Sequence, residues 1–366
     1  MFPIVDKSQN VIALMSALRS YLGLPIYHSE DIDMKDILNK QKPKQIIVLL
    51  IDGMGTYQIK RDCKCTGFFN THQLKTLQSV YPPTTAASTT SILSGKYPME
   101  TCWLGWQQYF KEVDEHLVMF LNRKYYKKEP FEIPNYPYKM LPTKQMVEEC
   151  NEKNIHAEVI FPAFHPQGVS SFEEMCQRIV EESNKQQNTF VYAYWDEYDD
   201  YMHQHGASSI GSKKMLVAYE RLLEQTSQLL EKDTMLIILA DHGHIDVTCK
   251  YLVDYPDLLA CCEKLPSIES RTLNWYIKKG MLETFKERFL TYFKNEYTLY
   301  TKQEAIDLHI FGYGQEHPRF KSFLGDFITC AIGNTNLVYD ASYKVLGAHA
   351  GCTREELEIP IIVYPK

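Results

Sequence analysis

The sequence predicts an α/β fold, a three-layer sandwich in which helices cover both faces of a mostly parallel β-sheet, with an inserted α+β cap subdomain. Two continuous aliphatic runs, at residues 45–51 and 236–240, are typical of parallel strands buried on both faces. An apolar stripe at helical spacing over residues 212–232 indicates a helix that covers such a sheet. With 366 residues, 45% of them hydrophobic, the chain is long enough for one α/β domain and a cap.

Composition and charge exclude several classes of protein. The formal net charge of −7 argues against a nucleic-acid groove, so no duplex partner is expected. Small anionic substrates stay compatible with this charge if a metal ion supplies positive charge. The ten cysteines show no repeated CxxC spacing, and we interpret them as reduced thiols of a cytoplasmic protein. Neither a secretory signal nor an apolar run of roughly 18 residues is visible, so no membrane partner is expected.

The spacing of apolar residues divides the chain into four regions. Residues 1–44 form a helical extension, with an amphipathic helix over 8–22, and residues 45–250 form the catalytic α/β core. Short aromatic-rich pieces around a charged helical run at 280–294 predict an inserted cap over 251–330. The remaining residues, 331–366, complete the core.

Acidic and imidazole side chains follow the two aliphatic runs directly. Asp52 comes after the first run, and Asp241, His242 and His244 come after the second. Open α/β sheets bind ligands in the crevice at the carboxyl ends of their strands, so these residues are candidates for a metal site. The structural alternative is an ordinary turn, and an Asp-Gly turn such as Asp52 begins is common after a strand.

Two prolines end the segment before a short predicted helix. Thr84 or Thr85 is placed to cap a helix over residues 86–94, which Gly95 terminates. Because free N–H groups and the positive end of the helix dipole lie there, this position can also hold a phosphate. A threonine at such a position is more often a simple N-cap. The residues that follow, up to Trp106, are interpreted as packing or as the wall of a pocket.

Further strands are predicted at 117–121, 156–161 and 190–195, with a loop over 124–142 and a helix over 171–184. After the last of these strands, Asp199 and His203 are four residues apart, so both can reach one ion from a single helical turn. Asp200 with His203, or Asp196 with Asp200, can serve equally well by spacing alone.

A late histidine, His349, lies in a glycine-flanked loop before the final strand. A lone histidine in such a loop is usually an ordinary surface residue. In combination, however, the chain offers three carboxylates, three histidines and one hydroxyl on separate segments. This donor set suits two divalent ions that share a substrate oxygen, with Zn²⁺ fitting best and Mn²⁺ next.

Five motifs of this chain resemble the alkaline phosphatase superfamily and, within it, the nucleotide pyrophosphatase/type I phosphodiesterase family. They are LLIDGMG, YPPTTAASTTSILSGKYP, YWDEYDDYMHQHG, ILADHGH and GAHAGCTREELEIPII, and the resemblance extends over residues 46–364. It implies an alkaline phosphatase-like fold. Counted against the family's pattern, the spacing to Gly95 implies Thr85 rather than Thr84, and the spacing to Gly206 implies Asp199 rather than Asp196 or Asp200.

The resemblance also implies roles for these residues. Asp199, His203 and His349 are expected to hold one ion, and Thr85 is expected to be the nucleophile that bridges toward a second ion. The expected ligands of that second ion are Asp52, Asp241 and His242. The implied enzyme is a two-metal hydrolase that cleaves phosphodiester or pyrophosphate bonds of a small, nucleotide-like phosphorylated substrate through a phosphothreonine intermediate. A homo-oligomer is compatible with the sequence.

One departure from the family concerns phosphate recognition. Well-studied members place an asparagine against the phosphate, whereas this chain has Trp106 there, with Gln107 beside it. Trp106, Gln107 and His244 are therefore candidate substrate contacts, and His244 has a supporting or structural role as the alternative, like His205. A phosphomonoesterase or phosphonate hydrolase with the same site, and a degenerate member that only binds a ligand, are the competing hypotheses. No cysteine of a sulfatase signature occurs at the Thr85 position.

Overall fold

The structure, a computed structural model, describes residues 6–185 and 189–366. Its strands, β1 to β18 in chain order, are Gln45–Ile51, Gln73–Gln78, Gln107–Phe110, Glu115–Val118, Arg123–Lys124, Glu129–Pro130, His156–Ile160, Thr189–Trp195, Thr234–Leu239, Ile245–Asp246, Thr248–Tyr251, Cys262–Ile268, Thr272–Ile277, Tyr297–Thr301, Phe327–Ala331, Thr335–Val338, Gly347–Ala348 and Glu358–Pro365. Its helices, α1 to α16, are Val11–Tyr21, Ile32–Gln41, Thr56–Asp62, Phe68–His72, Thr85–Ser94, Pro98–Thr101, Tyr136–Met140, Met146–Glu152, Phe172–Ser183, Glu197–His205, Ile210–Leu229, Pro256–Leu259, Leu282–Phe293, Lys302–Asp307, Phe320–Phe323 and Arg354–Leu357.

The central sheet has six strands in the order β2-β18-β9-β1-β8-β7. Strands β7, β8, β1 and β9 are parallel, and β18 is antiparallel to both of its neighbours. In the register, Leu49 of β1 lies beside Ala193 of β8 and Ile238 of β9, so these three strands end at one edge. Every residue of β1 and β9 is buried, as their unbroken aliphatic composition predicts. The predicted mostly parallel α/β sheet is confirmed.

Helices α1, α9 and α11 pack on this sheet in one hydrophobic cluster. The helices predicted at 8–22, 171–184 and 212–232 are observed as α1, α9 and α11, with ends shifted by up to three residues. Asn10 fixes the start of α1, because its side chain accepts from the N–H groups of Ile12 and Ala13. Among the described residues, no helix combines the length and apolar character needed to cross a membrane.

A second sheet has eight strands in the order β14-β15-β13-β12-β3-β4-β5-β6. Strands β12 to β15 come from the predicted cap, but β3 to β6 come from residues 107–130, which were predicted to belong to the core. The single pair Ile268 with Gln107 joins the two halves of the sheet. The loop predicted over 124–142 was wrong in part, since it contains β6 and α7. The division of the chain at residues 44, 250 and 330 stays a prediction.

Candidate metal centre and its cleft

The carboxyl ends of the central strands bring the first candidate ligands together. Asp52 follows β1, and its N–H group donates to the Trp195 carbonyl at 2.9 Å, which extends the strand ladder by one residue. Asp241 and His242 follow β9 and are fully buried. The Gly53 N–H group donates to Asp241 Oδ1 at 3.2 Å, and the φ of 71° at this position favours glycine. The turn after β1 is therefore held against the turn after β9.

One cluster of ligand atoms forms around Asp199, which lies in the first turn of α10. The Oδ2 atom of Asp199 is 3.2 Å from His203 Nε2, and its Oδ1 atom is 3.2 Å from His244 Nε2. His349 Nε2 lies 3.9 Å from Asp199 Oδ1. The ligand atoms of these four residues all lie within 4.8 Å of one another, close enough to surround one metal ion.

A second cluster adjoins the first, and Asp199 belongs to both. Its other members are Asp52 and His242. His242 Nε2 lies 3.3 Å from Asp52 Oδ1 and 3.4 Å from Asp241 Oδ2. The hydroxyl of Thr85 is 3.3 Å from the same Nε2 atom. The structure thus brings together the seven side chains that the resemblance selected.

Backbone carbonyl groups orient three of the histidines. The Nδ1 atoms of His203, His242 and His349 lie 2.9, 3.1 and 3.2 Å from the carbonyl oxygens of Gly347, Gly243 and Pro83. A proton on Nδ1 in each ring leaves the lone pair of Nε2 facing the cluster. Metal-binding histidines usually make such a bond with the nitrogen that does not bind the metal.

Several buried atoms in the two clusters lack a hydrogen-bond partner among the described residues. They are Asp52 Oδ1, Asp199 Oδ1, Asp241 Oδ2 and both ring nitrogens of His244. Unsatisfied polar atoms are unfavourable in a protein interior, and buried carboxylates normally pair with cations or bind metals. The residues present therefore fit divalent cations held between them.

The pKa values of the clustered groups lead to the same conclusion. Burial, reinforced by Asp241 and Asp199, raises the pKa of Asp52 well above its ordinary value, and burial also raises that of Asp241. Burial lowers the pKa of His244 to about 4. Burial also acts against the charge on His203, but Asp199 raises the pKa of His203 to about 9. An ion that binds at His203 must displace that proton.

Thr85 is the first residue of α5 and lies beside the second cluster. Thr84 occupies the N-cap position, but its side chain makes no capping bond and donates instead to Glu269 Oε1. Neither hydroxyl therefore has the ordinary capping role. Because the first N–H groups of a helix have no partner within it, the start of α5 is suited to hold an anion next to Thr85.

The two clusters open into a cleft of about 690 Å³. Its lining includes several of the clustered residues, namely Asp52, Thr85, Asp199, His203 and His349. Another part of the lining is aromatic or basic and includes Trp106, Tyr125, Tyr194, Tyr343 and Lys344. The cleft therefore offers flat apolar faces and the ammonium group of Lys344 within the same cavity as the candidate nucleophile.

The three predicted substrate contacts have different positions. Trp106 lines the cleft, but Gln107 does not, because its side chain points into the second sheet and donates to the Pro266 carbonyl at 3.1 Å. His244 lies within the first cluster. His205 is exposed and stacks on Tyr201, with ring centroids 4.0 Å apart, away from either cluster.

Glu269 is a cleft residue that the sequence did not indicate. Its Oε1 atom accepts from the Thr84 hydroxyl and from the Trp106 N–H group, the latter at 2.8 Å. Withdrawal from water raises the pKa of Glu269 to about 7. It follows a strand of the second sheet and belongs to none of the five motifs, so only the pairing of β12 with β3 brings it to the site.

Comparisons with known proteins agree with this geometry. Residues 46–272 match the family model described as type I phosphodiesterase / nucleotide pyrophosphatase. The chain resembles murine ectonucleotide pyrophosphatase / phosphodiesterase 5 with a TM-score of 0.67 and 15% identity over 88% of each chain. An inactive threonine-to-alanine variant of that murine protein, in complex with AMP, matches with a TM-score of 0.66 and 15% identity over 87% of each chain.

Phosphonoacetate hydrolase from Sinorhizobium meliloti 1021, in complex with phosphonoformate, matches with a TM-score of 0.64 and 14% identity over 88% of this chain and 90% of the other. No curated protein matches the chain significantly. At these low identities the solved structures show the fold alone.

The match to the family model identifies the chain as a hydrolase that acts on phosphoric ester bonds, and the alkaline phosphatase-like α/β fold agrees with that class. The family model covers more than half of the chain. The chain therefore belongs to the type I phosphodiesterase / nucleotide pyrophosphatase family. The predicted family, fold class and class of enzyme are confirmed.

Proposed function

We propose that the chain is a two-metal phosphodiesterase or nucleotide pyrophosphatase that uses Thr85 as its nucleophile. The observation that carries the proposal is the position of Thr85. Its hydroxyl is 3.3 Å from His242 Nε2, at the start of a helix, and it faces the cleft. A threonine with no capping role beside two ligand clusters is placed for covalent catalysis.

The donor set supports two divalent ions. Asp199, His203 and His349 are proposed to hold one of them, and Asp52, Asp241 and His242 the other. Mixed imidazole and carboxylate ligands favour Zn²⁺, with Mn²⁺ as the second choice. When bound, such ions supply positive charge that favours the alkoxide of Thr85 and stabilises charge on the phosphoryl oxygens.

The side chains and backbone of the site then perform a displacement in two halves. Thr85 Oγ1 gives up its proton and forms a bond to phosphorus as the bond to the leaving oxygen breaks. The leaving group departs with that electron pair and takes up a proton, and a phosphothreonine remains. In the second half a water oxygen forms a bond to the same phosphorus and loses a proton as the bond from phosphorus to Thr85 Oγ1 breaks, so that the phosphate product leaves and Thr85 Oγ1 regains its proton. The free N–H groups at the start of α5 hold phosphoryl oxygens through both halves.

A small nucleotide-like substrate fits the cleft. Trp106, Tyr125 and Tyr343 offer aromatic faces on which a base can stack. The AMP complex of the murine relative supports this substrate class. The family match favours diesters and pyrophosphates over the phosphomonoesterase, phosphonate-hydrolase and binding-only hypotheses.

We also propose that the chain acts in the cytoplasm, because all ten of its cysteines are free thiols, as expected in a reducing compartment. Homo-oligomer formation stays a prediction, which sedimentation of the purified protein would test.

Thr85→Ala tests the proposed function directly. We expect turnover of bis-nitrophenyl phosphate to fall by roughly 1,000-fold or more, since the covalent step is lost. Metal content measured by elemental analysis should be unchanged, because six other ligands remain. Thr90→Ala, on the same helix but outside the cleft lining, is the matched control and should keep wild-type activity.

The assay compares bis-nitrophenyl phosphate with nitrophenyl phosphate and a nitrophenyl phosphonate, with Zn²⁺ and Mn²⁺ added in turn. The diester should be the best of the three substrates. Retention of more than a few per cent of diester turnover by Thr85→Ala would contradict the role of this residue.

A further inference from the structure

We propose that Glu269 determines the substrate class of this site, because its carboxylate admits phosphoryl groups with one negative charge and repels the second charge of a phosphomonoester. The inference rests on the proposed phosphodiesterase function and deepens it. A phosphodiester carries a single charge around its phosphorus, whereas a phosphomonoester carries about two above its second pKa of about 6. A fixed charge beside the phosphoryl group can therefore separate the two classes.

Two hydrogen bonds hold the Glu269 carboxylate beside the expected phosphate position. Its Oε1 atom accepts from the Thr84 hydroxyl and from the Trp106 N–H group, the latter at 2.8 Å. Thr84 is the N-cap residue of α5 and directly precedes the proposed nucleophile Thr85. The carboxylate thus lies against the helix start whose free N–H groups are proposed to hold phosphoryl oxygens.

The second carboxylate oxygen of Glu269 is directed to the cleft. Oε2 forms no hydrogen bond within the described residues, and it does not belong to the fully buried polar atoms that lack a partner. Because Glu269 is part of the cleft lining, this oxygen meets the space that a substrate fills. One carboxylate oxygen is therefore free to act on a bound phosphoryl group.

No basic side chain neutralises this carboxylate. Over residues 6–185 and 189–366, Glu269 forms no ion pair with lysine, arginine or histidine. Lys344 lines the same cleft, but it is not within ion-pair distance of Glu269. The charge of Glu269 therefore acts on the occupant of the cleft, and like charges at close range disfavour binding.

The pKa of Glu269 shows that this carboxyl group interacts with both ligand clusters. Burial raises the pKa of Glu269 to about 7, against the opposing effects of its two hydrogen bonds and of His203 and His242. His203 belongs to the first cluster and His242 to the second. At about pH 9 the carboxyl group is ionised, and its charge acts on a phosphoryl group bound beside the clusters.

Glutamine at this position separates the charge from the hydrogen bonds. The Oε1 atom of glutamine can accept from Thr84 and Trp106 as the carboxylate does, but the side chain has no charge. Glu269→Gln therefore keeps the attachment of α5 to the pocket wall and removes only the repulsion. If Glu269 only held these two groups in place, the variant would keep the wild-type substrate preference.

The experiment measures kcat/KM for nitrophenyl phosphate and bis-nitrophenyl phosphate at about pH 9 with Zn²⁺ present. Glu269→Gln should increase monoester turnover and raise the ratio of the monoester value to the diester value by roughly 10-fold or more, because repulsion acts on two charges in the monoester and on one in the diester. Glu129→Gln, at an exposed glutamate of β6, is the matched control and should keep the wild-type ratio.

The outcomes distinguish this proposal from the proposed function. An unchanged ratio, or a fall of both values by the same factor, would overturn the role of Glu269 in specificity and leave the phosphodiesterase function intact. A ratio that rises only because diester turnover falls would also overturn that role, since loss of repulsion must increase monoester turnover. A wild-type protein without diester turnover would overturn both proposals.

The wild type alone supplies a second measurement, which does not depend on the folding of the variant. Nitrophenyl methylphosphonate and nitrophenyl phosphate share a leaving group, and a methyl group in the first replaces a charged oxygen of the second. The singly charged phosphonate should have the higher kcat/KM. A wild-type preference for the doubly charged nitrophenyl phosphate would overturn the proposal by itself.

Discussion

Buried carboxylates in this protein differ in their partners. Glu149 and Glu356 each bond a buried arginine, with closest distances of 2.6 and 2.7 Å. Asp52, Asp199 and Asp241 are just as buried but form no ion pair with lysine or arginine among the described residues. Elsewhere in the chain, buried acids pair with arginine. Among the described residues no arginine pairs with the carboxylates at the strand ends, and this supports a metal ion as the partner of Asp52, Asp199 and Asp241.

His116 should make the stability of the protein depend on pH. This residue of β4 is buried, its Nε2–H group donates to the Leu265 carbonyl at 2.8 Å, and burial lowers its pKa from 6.5 to about 4. The unfolded chain then takes up the proton first as the pH falls. The stabilisation is complete above pH 6.5 and is lost between pH 6.5 and 4, by at most roughly 3 kcal/mol.

His116→Gln removes this titration and keeps a donor for the Leu265 carbonyl. The difference in Tm between pH 7 and pH 4.5, followed by circular dichroism, should be smaller in the variant than in the wild type. His309→Gln, at an exposed histidine, should behave like the wild type. Equal acid sensitivity of all three proteins would contradict the assignment.

Part of the site follows from local sequence and part does not. Asp52, Asp241 and His242 were predictable because parallel strands end at one edge of their sheet. Spacing alone could not choose Asp199, because that choice depends on where α10 begins. In the structure, α10 turns Asp199 inward and leaves Asp200 exposed. The position of His244 beside His349 depends on the pairing of β10 with β17, in which Ile245 lies opposite Ala348, and no local pattern reveals that pairing.

At the scale of elements, one buried arginine connects the second sheet to the loop that carries His349. Arg271 precedes β13 and bonds both carboxylate oxygens of Glu356, at 2.7 and 2.9 Å. It also donates to the Thr335 carbonyl at 2.7 Å. Glu356 in turn accepts from the Gly351 N–H group at 2.7 Å. This network fixes α16 and the loop before it.

Arg271→Met should be strongly destabilising. It leaves Glu356 buried without its cation, and removal of one partner of a buried pair typically costs about 3–5 kcal/mol. Urea unfolding measures the loss. Arg354→Met is the control, because that arginine is 86% exposed and pairs with Glu358 at the surface, where little change in stability is expected.

The loss of stability in Arg271→Met has two causes to separate, the unpaired charge of Glu356 and the lost bonds of Arg271 with backbone carbonyls. The double variant Arg271→Met, Glu356→Gln separates them. If the unpaired charge is responsible, the second substitution should recover part of the stability. A double variant that is no more stable than Arg271→Met would instead assign the loss to the arginine's bonds with backbone carbonyls.

The long elements were predicted well and the second sheet was not. Strands β1 and β9 and helices α1, α9 and α11 have unbroken runs or clear apolar stripes, so their periodicity is readable. Strands β5 and β6 have two residues each, which is too short for alternation to appear. β5 pairs with β4 and β6 pairs with β5, but these strands join the cap strands through the distant pair of Gln107 with Ile268, which the prediction of one contiguous cap could not include.

At the scale of the whole molecule, the site lies where the two sheets meet. The central sheet supplies Asp52, Asp241 and His242 from its strand ends. The pairing of β12 with β3 places Glu269 next to Trp106 and the start of α5. The negative net charge and the cluster of acids in the cleft would together repel a phosphorylated substrate. Bound metal cations make the local charge in the cleft positive, so substrate binding should require these cations.

Removal of metal should therefore lower the stability of the whole protein. Without ions, three carboxylates and four imidazoles crowd one buried region, and several of their atoms have no partner within the described residues. An ion that binds only the folded state adds about 2.7 kcal/mol when its free concentration is 100 times Kd. At about 2.1 cal/mol/K of unfolding entropy per residue, this raises the Tm of a 366-residue chain by roughly 3 °C per ion.

Differential scanning calorimetry of EDTA-treated protein, with and without added Zn²⁺, measures the shift, and Asp241→Asn should lose about half of it. The shift should also shrink as the pH falls, because protons compete for the same imidazoles and carboxylates. A Tm that does not respond to Zn²⁺ at neutral pH would contradict the metal centre itself, whatever the protein's activity.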